Sequence, residues 1–258
     1  MKARAKHTVK SIFLSMFVAC FIILNSGCGL DEYYVVNGPY SIYCPLYSDQ
    51  NPLTFEHRYI EFSTDKNDKS QGAFTIDGTD VYYKIYSNYS TCSSEYSALN
   101  TLLNNSSSKA SSASSLINSY KFQKLKNTHS SDDTFVTHNG EDKRIRIRLT
   151  QYSETQDADE YKALIKVDGI PVGIPIRYYG NRFFDFRRDS NTFNAPLPRT
   201  TLYEDDVSTN TTVSSNGLWY VNLYAVTRGH DSSFTTYYSP ICHLGTLCID
   251  AVSINYDN

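Results

Sequence analysis

Val81-Tyr82-Tyr83-Lys84-Ile85-Tyr86 and Leu218-Trp219-Tyr220-Val221-Asn222-Leu223-Tyr224-Ala225-Val226 decide the fold class. Both runs are dominated by β-branched and aromatic residues, which suit a pleated, half-buried surface, and both read as strands. Working outward, Arg58-Tyr59-Ile60-Glu61-Phe62 alternates polar and apolar and predicts a half-buried strand. Phe74-Thr75-Ile76 leads into Asp77-Gly78, a pair that accepts positive φ and predicts a turn. Asp168-Gly169 joins Ala163–Val167 to Ile170–Ile176 in the same manner. Asn139-Gly140 precedes Arg144–Leu149, and Asn216-Gly217 precedes the Leu218 run. Strands parted by short turns, without regular helices between them, predict a mainly β chain built as an antiparallel β-sandwich.

One stretch breaks the pattern. Tyr96, Leu99, Leu102 and Leu103 fall at helical spacing after Ser93-Ser94, which reads as the cap. Residues 106–115 are Ser or Ala apart from Lys109 and read as a loop or a short second helix. A helical insertion near residues 93–118 is therefore expected inside a sandwich domain spanning 54–258. Residues 189–217, polar and carrying Pro196 and Pro198, read as a long loop.

The chain has 258 residues, enough to bury a sizeable core. With 24 Lys+Arg against 27 Asp+Glu it is mildly acidic, which argues against a nucleic-acid partner. Lys2, Arg4, Lys6 and Lys10 precede the apolar run Ile12–Leu24, and small residues follow. That run is shorter than the ~20 residues a spanning helix needs, and its layout is that of a secretory signal over residues 1–27. Leu24-Asn25-Ser26-Gly27-Cys28 resembles a bacterial lipobox, with Asn25 where the usual pattern has Leu. The resemblance implies that Cys28 is acylated and begins the mature chain, with 28–53 as tether. Cleavage there leaves 20 cations against 27 anions, so the lipid and not the charge would hold the protein to anionic headgroups.

Four cysteines remain beyond the anchor. Cys44, Cys92, Cys242 and Cys248 permit two disulfides in three connectivities. The favoured one pairs Cys242 with Cys248 across a hairpin containing Gly245, and Cys44 with Cys92. Cys242, His243 and Cys248 match no standard zinc spacing, and no metal is expected.

Chemical signatures are sparse. No nucleophile elbow, zinc-protease motif, phosphate loop or calcium-loop ligand run is present, so no catalytic residue and no cofactor are assigned. His57, His129, His138, His230 and His243 are scattered and read as surface residues. Asp157-Ala158-Asp159-Glu160 and Glu204-Asp205-Asp206 read as solvated loops. Arg144, Arg146 and Arg148 share one face of a strand, while Ile145, Ile147 and Leu149 take the other. Three adjacent guanidinium groups are either a contact for an anion or acidic polysaccharide, or are neutralised by cross-strand carboxylates. Arg182, Arg187 and Arg188 add positive charge that spacing alone does not place. Tyr82, Tyr86, Tyr237 and Tyr238 are either surface contacts or core phenols.

Trp219-x-Val221-x-Leu223-x-Ala225-Val226, then Gly229 and Ser239-Pro240, resembles the last hairpin of a fibronectin type III domain, and Val81–Tyr86 resembles its third strand. This implies an immunoglobulin- or fibronectin III-like sandwich over about a third of the chain. Cys28-Gly29-Leu30-Asp31 followed by Tyr33-Tyr34 and a Tyr-rich body is similar to uncharacterised treponeme lipoproteins. That resemblance implies lipid anchoring in the cell envelope. The expected role is a binding module for envelope or host proteins or carbohydrate. A structural lipoprotein is the alternative, and a glycan hydrolase the less favoured one.

Overall fold

A computed structural model of the chain describes residues 34–47, 57–128, 134–150, 163–184, 204–208 and 218–250. The expected signal segment 1–27, the expected lipidation residue Cys28, His129, residues 157–160, Arg187, Arg188 and Asn216-Gly217 lie outside them. The elements below belong to the unit Val35–Asn258.

Twelve strands follow one another along the described chain. They are β1 (Tyr40–Tyr43), β2 (Ile60–Ser63), β3 (Thr75–Tyr86), β4 (Gln123–Lys124), β5 (Lys126–Asn127) and β6 (Arg144–Arg148). Then come β7 (Leu164–Val167), β8 (Ile170–Gly173), β9 (Pro175–Ile176), β10 (Leu218–His230), β11 (Thr236–Tyr238) and β12 (Cys242–Asp250). Helix α1 (Tyr89–Asn104) stands between β3 and β4, followed by short helical turns up to Ser119. One antiparallel sheet has the order β1-β2-β6-β7-β8. The other runs β11-β10-β3-β4, with β12 also paired to β10.

Alternation of side chains along each strand divides the molecule into layers. Ile60, Phe62, Ile145, Ile147 and Ile165 from the first sheet share one apolar cluster with Val81, Tyr83, Ile85, Val221, Leu223 and Leu247 from the second. The opposite face of the second sheet carries Tyr82, Tyr86, Tyr220 and Tyr224, which pack against Cys92, Leu99 and Leu116 of the helical segment. Strand β10 is thus enclosed on both sides, and Trp219–Thr227 is buried throughout. Each fully buried Val, Leu, Ile or Phe contributes about 1.5–3 kcal/mol. The long Tyr82 and Tyr86 side chains are core phenols: Tyr86 donates to Glu95 at 2.8 Å, and Lys84 meets the same carboxylate at 2.9 Å, docking α1 on β3.

Several expectations are corrected. Asp77-Gly78 is no turn, because β3 runs unbroken through it. Strand β10 pairs with β3 on both sides, Arg228 opposite Gly78 and Gly229 opposite Ile76, so Asp77 is the extra residue of a bulge. Gly78 is required there: its φ is 133°, and a Cβ would lie 2.3 Å from the Val136 carbonyl oxygen. Asp168-Gly169, with φ of 51° and 81°, does join β7 to β8. Strand β2 is buried on both faces rather than one. Helix α1 starts six residues before Glu95, and its cap is Asn88, which accepts from Ser90 N at 2.8 Å, not Ser93-Ser94.

The expected cystine pairs are absent: Cys44, Cys92, Cys242 and Cys248 are all unbridged thiols. Cys242 and Cys248 begin and nearly end one continuous strand, so they cannot face each other across a hairpin. They also serve different cores, Cys242 packing against the inter-sheet cluster and Cys248 lying under α1 with Cys92.

Candidate anion-binding site

The arginine strand sits in the middle of the first sheet. Ile145, Ile147 and Leu149 enter the inter-sheet core, which turns Arg144, Arg146 and Arg148 to the other face. Register places Glu61 of β2 opposite Arg146, and Arg146 opposite Lys166 of β7. Glu61 is the neutralising carboxylate: Arg144 Nε donates to its Oε1, and Arg146 Nε donates to its Oε2 at 2.9 Å. The Glu61 side chain is 2% exposed, whereas those of Arg144 and Arg146 are 61% and 42% exposed. Cross-strand pairing therefore holds for these two arginines, yet it does not consume them. Only Nε of each is engaged, and their terminal nitrogens make no hydrogen bond among the described residues.

Arg144 and Arg146 line a cavity of about 510 Å³ with Glu61, Lys166, Asp168 and Gly169. Asp168 is part of its frame, since its carboxylate accepts the Arg144 backbone N–H at 2.9 Å and its own N–H donates to the Arg144 carbonyl at 2.8 Å. Tyr59 extends the face: its ring lies 4.6 Å from the Arg146 guanidinium, 5.7 Å from that of Arg148, and stacks on Tyr43 at 4.5 Å. Arg148 is 7% exposed and does not line the cavity. The sequence thus named two of the three cavity cations. It missed Lys166, Glu61, Asp168 and Tyr59. The outward position of Lys166 in Leu164-Ile165-Lys166-Val167 was a usable signal for one of them.

A second charged cluster is sealed inside. Arg177 Nε donates to Asp206 at 2.8 Å, and its Nη2 donates to Asp206 and Glu204 at 2.5 Å each. Tyr83 donates to Asp206 at 2.5 Å and accepts from Tyr178 N at 2.8 Å. Arg182 also reaches Glu204, at 3.4 Å. Burial opposes the charge on Arg177, but the two carboxylates carry its pKa above the ordinary value. Glu204 and Asp206 are thus buried, not solvated, because β3 and Arg177 enclose them. His138 is likewise interior and bonds Thr79 Oγ1 at 2.9 Å, while desolvation drives the pKa of the partly buried His243 down to about 4. His230 pairs with Asp77 at 2.8 Å.

Among the described residues, no three His, Cys, Asp or Glu side chains converge as a metal site requires, and no helix is long and apolar enough to cross a membrane. Comparison with family models, curated proteins and solved structures returned no match to the chain.

Proposed function

We propose that this chain is a lipid-anchored envelope module with a sandwich body of fibronectin III-like type, and that it binds an anionic ligand, such as an acidic polysaccharide, on the outer face of its first sheet. The observation that carries the reading is the way Glu61 holds Arg144 and Arg146. By occupying each Nε it fixes both guanidinium planes, and both arginines line the cavity with terminal nitrogens that make no hydrogen bond among the described residues. Planar paired donors suit carboxylate or sulfate groups, which accept two parallel hydrogen bonds. Lys166 adds a point charge beside them, and the Tyr43–Tyr59 stack supplies a flat apolar flank of the kind sugar rings contact. The anchor at Cys28 and the envelope location rest on the lipobox-like segment.

The hydrolase alternative finds little support in the same cavity. Its two carboxylates are Glu61 and Asp168. Glu61 has both oxygens engaged by guanidinium groups, and Asp168 accepts a backbone N–H. Neither is placed to act as a proton donor opposite a nucleophile.

The test is titration of the protein with heparin and with polygalacturonate at two salt concentrations. Lys166→Gln is the informative variant, because Lys166 makes no ion pair among the described residues and its loss should leave melting unchanged. Binding should weaken several-fold and should fall with added salt. Equal affinity of wild type, Lys166→Gln and Arg144→Gln for both polyanions would refute the site.

A further inference from the structure

We propose that Cys44 and Cys242 are a disulfide-forming pair which, on oxidation, ties the first described segment of the chain to the start of β12. The inference goes beyond the anion site and does not depend on it. The backbone brings the two residues together. Residues 45–47 run parallel to β12, with Thr246 N donating to the Pro45 carbonyl at 2.8 Å and Tyr47 N donating to the Thr246 carbonyl at 3.0 Å. One step back along that segment, Cys44 Sγ lies 3.7 Å from the His243 carbonyl oxygen. Cys242 Sγ lies 3.8 Å from the same oxygen. Both sulfurs lie within 3.8 Å of that one oxygen, Cys44 acts electrostatically on Cys242, and rotation about one bond in each side chain changes the separation of the sulfurs.

Accessibility separates this pair from the other two thiols. Cys44 and Cys242 are partly exposed, whereas Cys92 and Cys248 are 0% and 3% exposed under α1. The first pair therefore lies nearer to solvent than the second.

Cys44 Sγ also stands 3.5 Å from His243 Nδ1, which invites comparison with a cysteine–histidine nucleophile. The electrostatics oppose that role. Burial lowers the His243 pKa to about 4 and raises that of Cys44, so near neutrality both partners are uncharged and no thiolate–imidazolium pair forms. Cys242 is raised to about 12 by burial, with Cys44 as the next contribution. A slow structural crosslink fits these groups, and a turnover nucleophile does not.

The chemistry is thiol–disulfide exchange with a disulfide oxidant RSSR. The Cys44 thiolate attacks one sulfur of RSSR and expels RS⁻, giving a mixed disulfide. The Cys242 thiolate then attacks Cys44 Sγ and expels the second RS⁻. Two electrons pass to the oxidant, and the two thiol protons end on the two RSH released. An exported compartment holds oxidants of this class.

The full chain is treated with oxidised glutathione, alkylated, digested without reductant and mapped by mass spectrometry. The expected product is a Cys44–Cys242-linked peptide lighter by two hydrogens, absent from Cys44→Ser, in which Cys242 becomes alkylated. Because the bond closes a loop of about 200 residues, the oxidised form should also melt higher, by on the order of 5 °C, and dithiothreitol should reverse this. Recovery of both residues alkylated after oxidation, or of Cys242 joined to Cys92 or Cys248, overturns the pairing. The map on the wild-type chain decides the matter even if Cys44→Ser does not fold. A chain that forms the bond yet ignores polyanions would separate this inference from the proposed ligand site.

Discussion

At His243 burial decides the protonation state. The ring lies against Tyr96 and Tyr224, at 4.6 and 4.9 Å between centroids, with Cys44 beside Nδ1. Its pKa falls to about 4 in the fold, against about 6.5 in an unfolded chain. Between those values the unfolded state binds more protons. The stability His243 contributes is therefore complete above about pH 6.5 and is lost as pH falls toward 4. Asp68 has the opposite sign. Burial lifts its pKa to about 6, so its contribution is complete below about pH 4 and is lost as pH rises through 6. His243→Gln removes one term and keeps the other. The variant should lose less melting temperature than wild type between pH 7 and pH 4.5; parallel curves would show that His243 does not titrate as described. Neither the desolvation of this histidine nor the interior place of the Arg177–Asp206–Glu204 cluster was legible. All four side chains are polar, and only the packing of other elements around them takes them out of water. A buried ion set of this kind costs several kcal/mol when one partner is removed, because an uncompensated charge stays behind.

Helix α1 is an element that its own composition supports poorly. Six Ser or Thr and two Asn among its 16 residues are weak helix formers. What sustains it is docking: Cys92 and Leu99 are fully buried on the tyrosine face of the second sheet, and Lys84 and Tyr86 grip Glu95. The N-terminus is held by the Asn88 side chain, which accepts from Ser90 N and Thr91 N. Asn88→Ala should cost about 1 kcal/mol and lower the melting temperature by roughly 2–4 °C, measured by circular dichroism. A shift below the error of the melt would mean that docking alone defines the first turn. The helix body was readable from the spacing of Leu99, Leu102 and Leu103. Its start was not, since Ser93-Ser94 offers the same capping chemistry as Asn88 and local sequence cannot rank them. The bulge at Asp77-Gly78 is a comparable case. A pair that suits a two-residue turn became an interruption within a strand because β10 is long enough to pair on both sides of it.

Across the whole molecule, the net charge would act against the proposed anchor. Without residues 1–27 the chain carries 20 cations and 27 anions, and an acidic body gains nothing from anionic headgroups. The proposed acyl chains on Cys28 must then supply the entire attachment, at about 0.8 kcal/mol per buried methylene. Cys28→Ala expressed in a lipoprotein-processing bacterial host should move the protein from the detergent phase to the aqueous phase of a two-phase partition. Retention in the detergent phase would sink the anchor. The same acidic background makes the first sheet's cavity distinctive, because its three cations outnumber its two carboxylates where the body as a whole is negative.

Local composition by itself determined that the chain is mainly β, that Val81–Tyr86 and Leu218–Val226 are strands, and that Ile145, Ile147 and Leu149 point inward while the arginines between them point outward. These follow from side-chain volume and the period of two, which a strand carries wherever it is placed. Tertiary structure alone decided the rest: which carboxylate answers the arginines, which acids and histidines are sealed from water, and which cysteines approach each other. Those are relations between residues tens to nearly two hundred positions apart. They depend on strand register and sheet order, and no window of neighbouring residues contains that information.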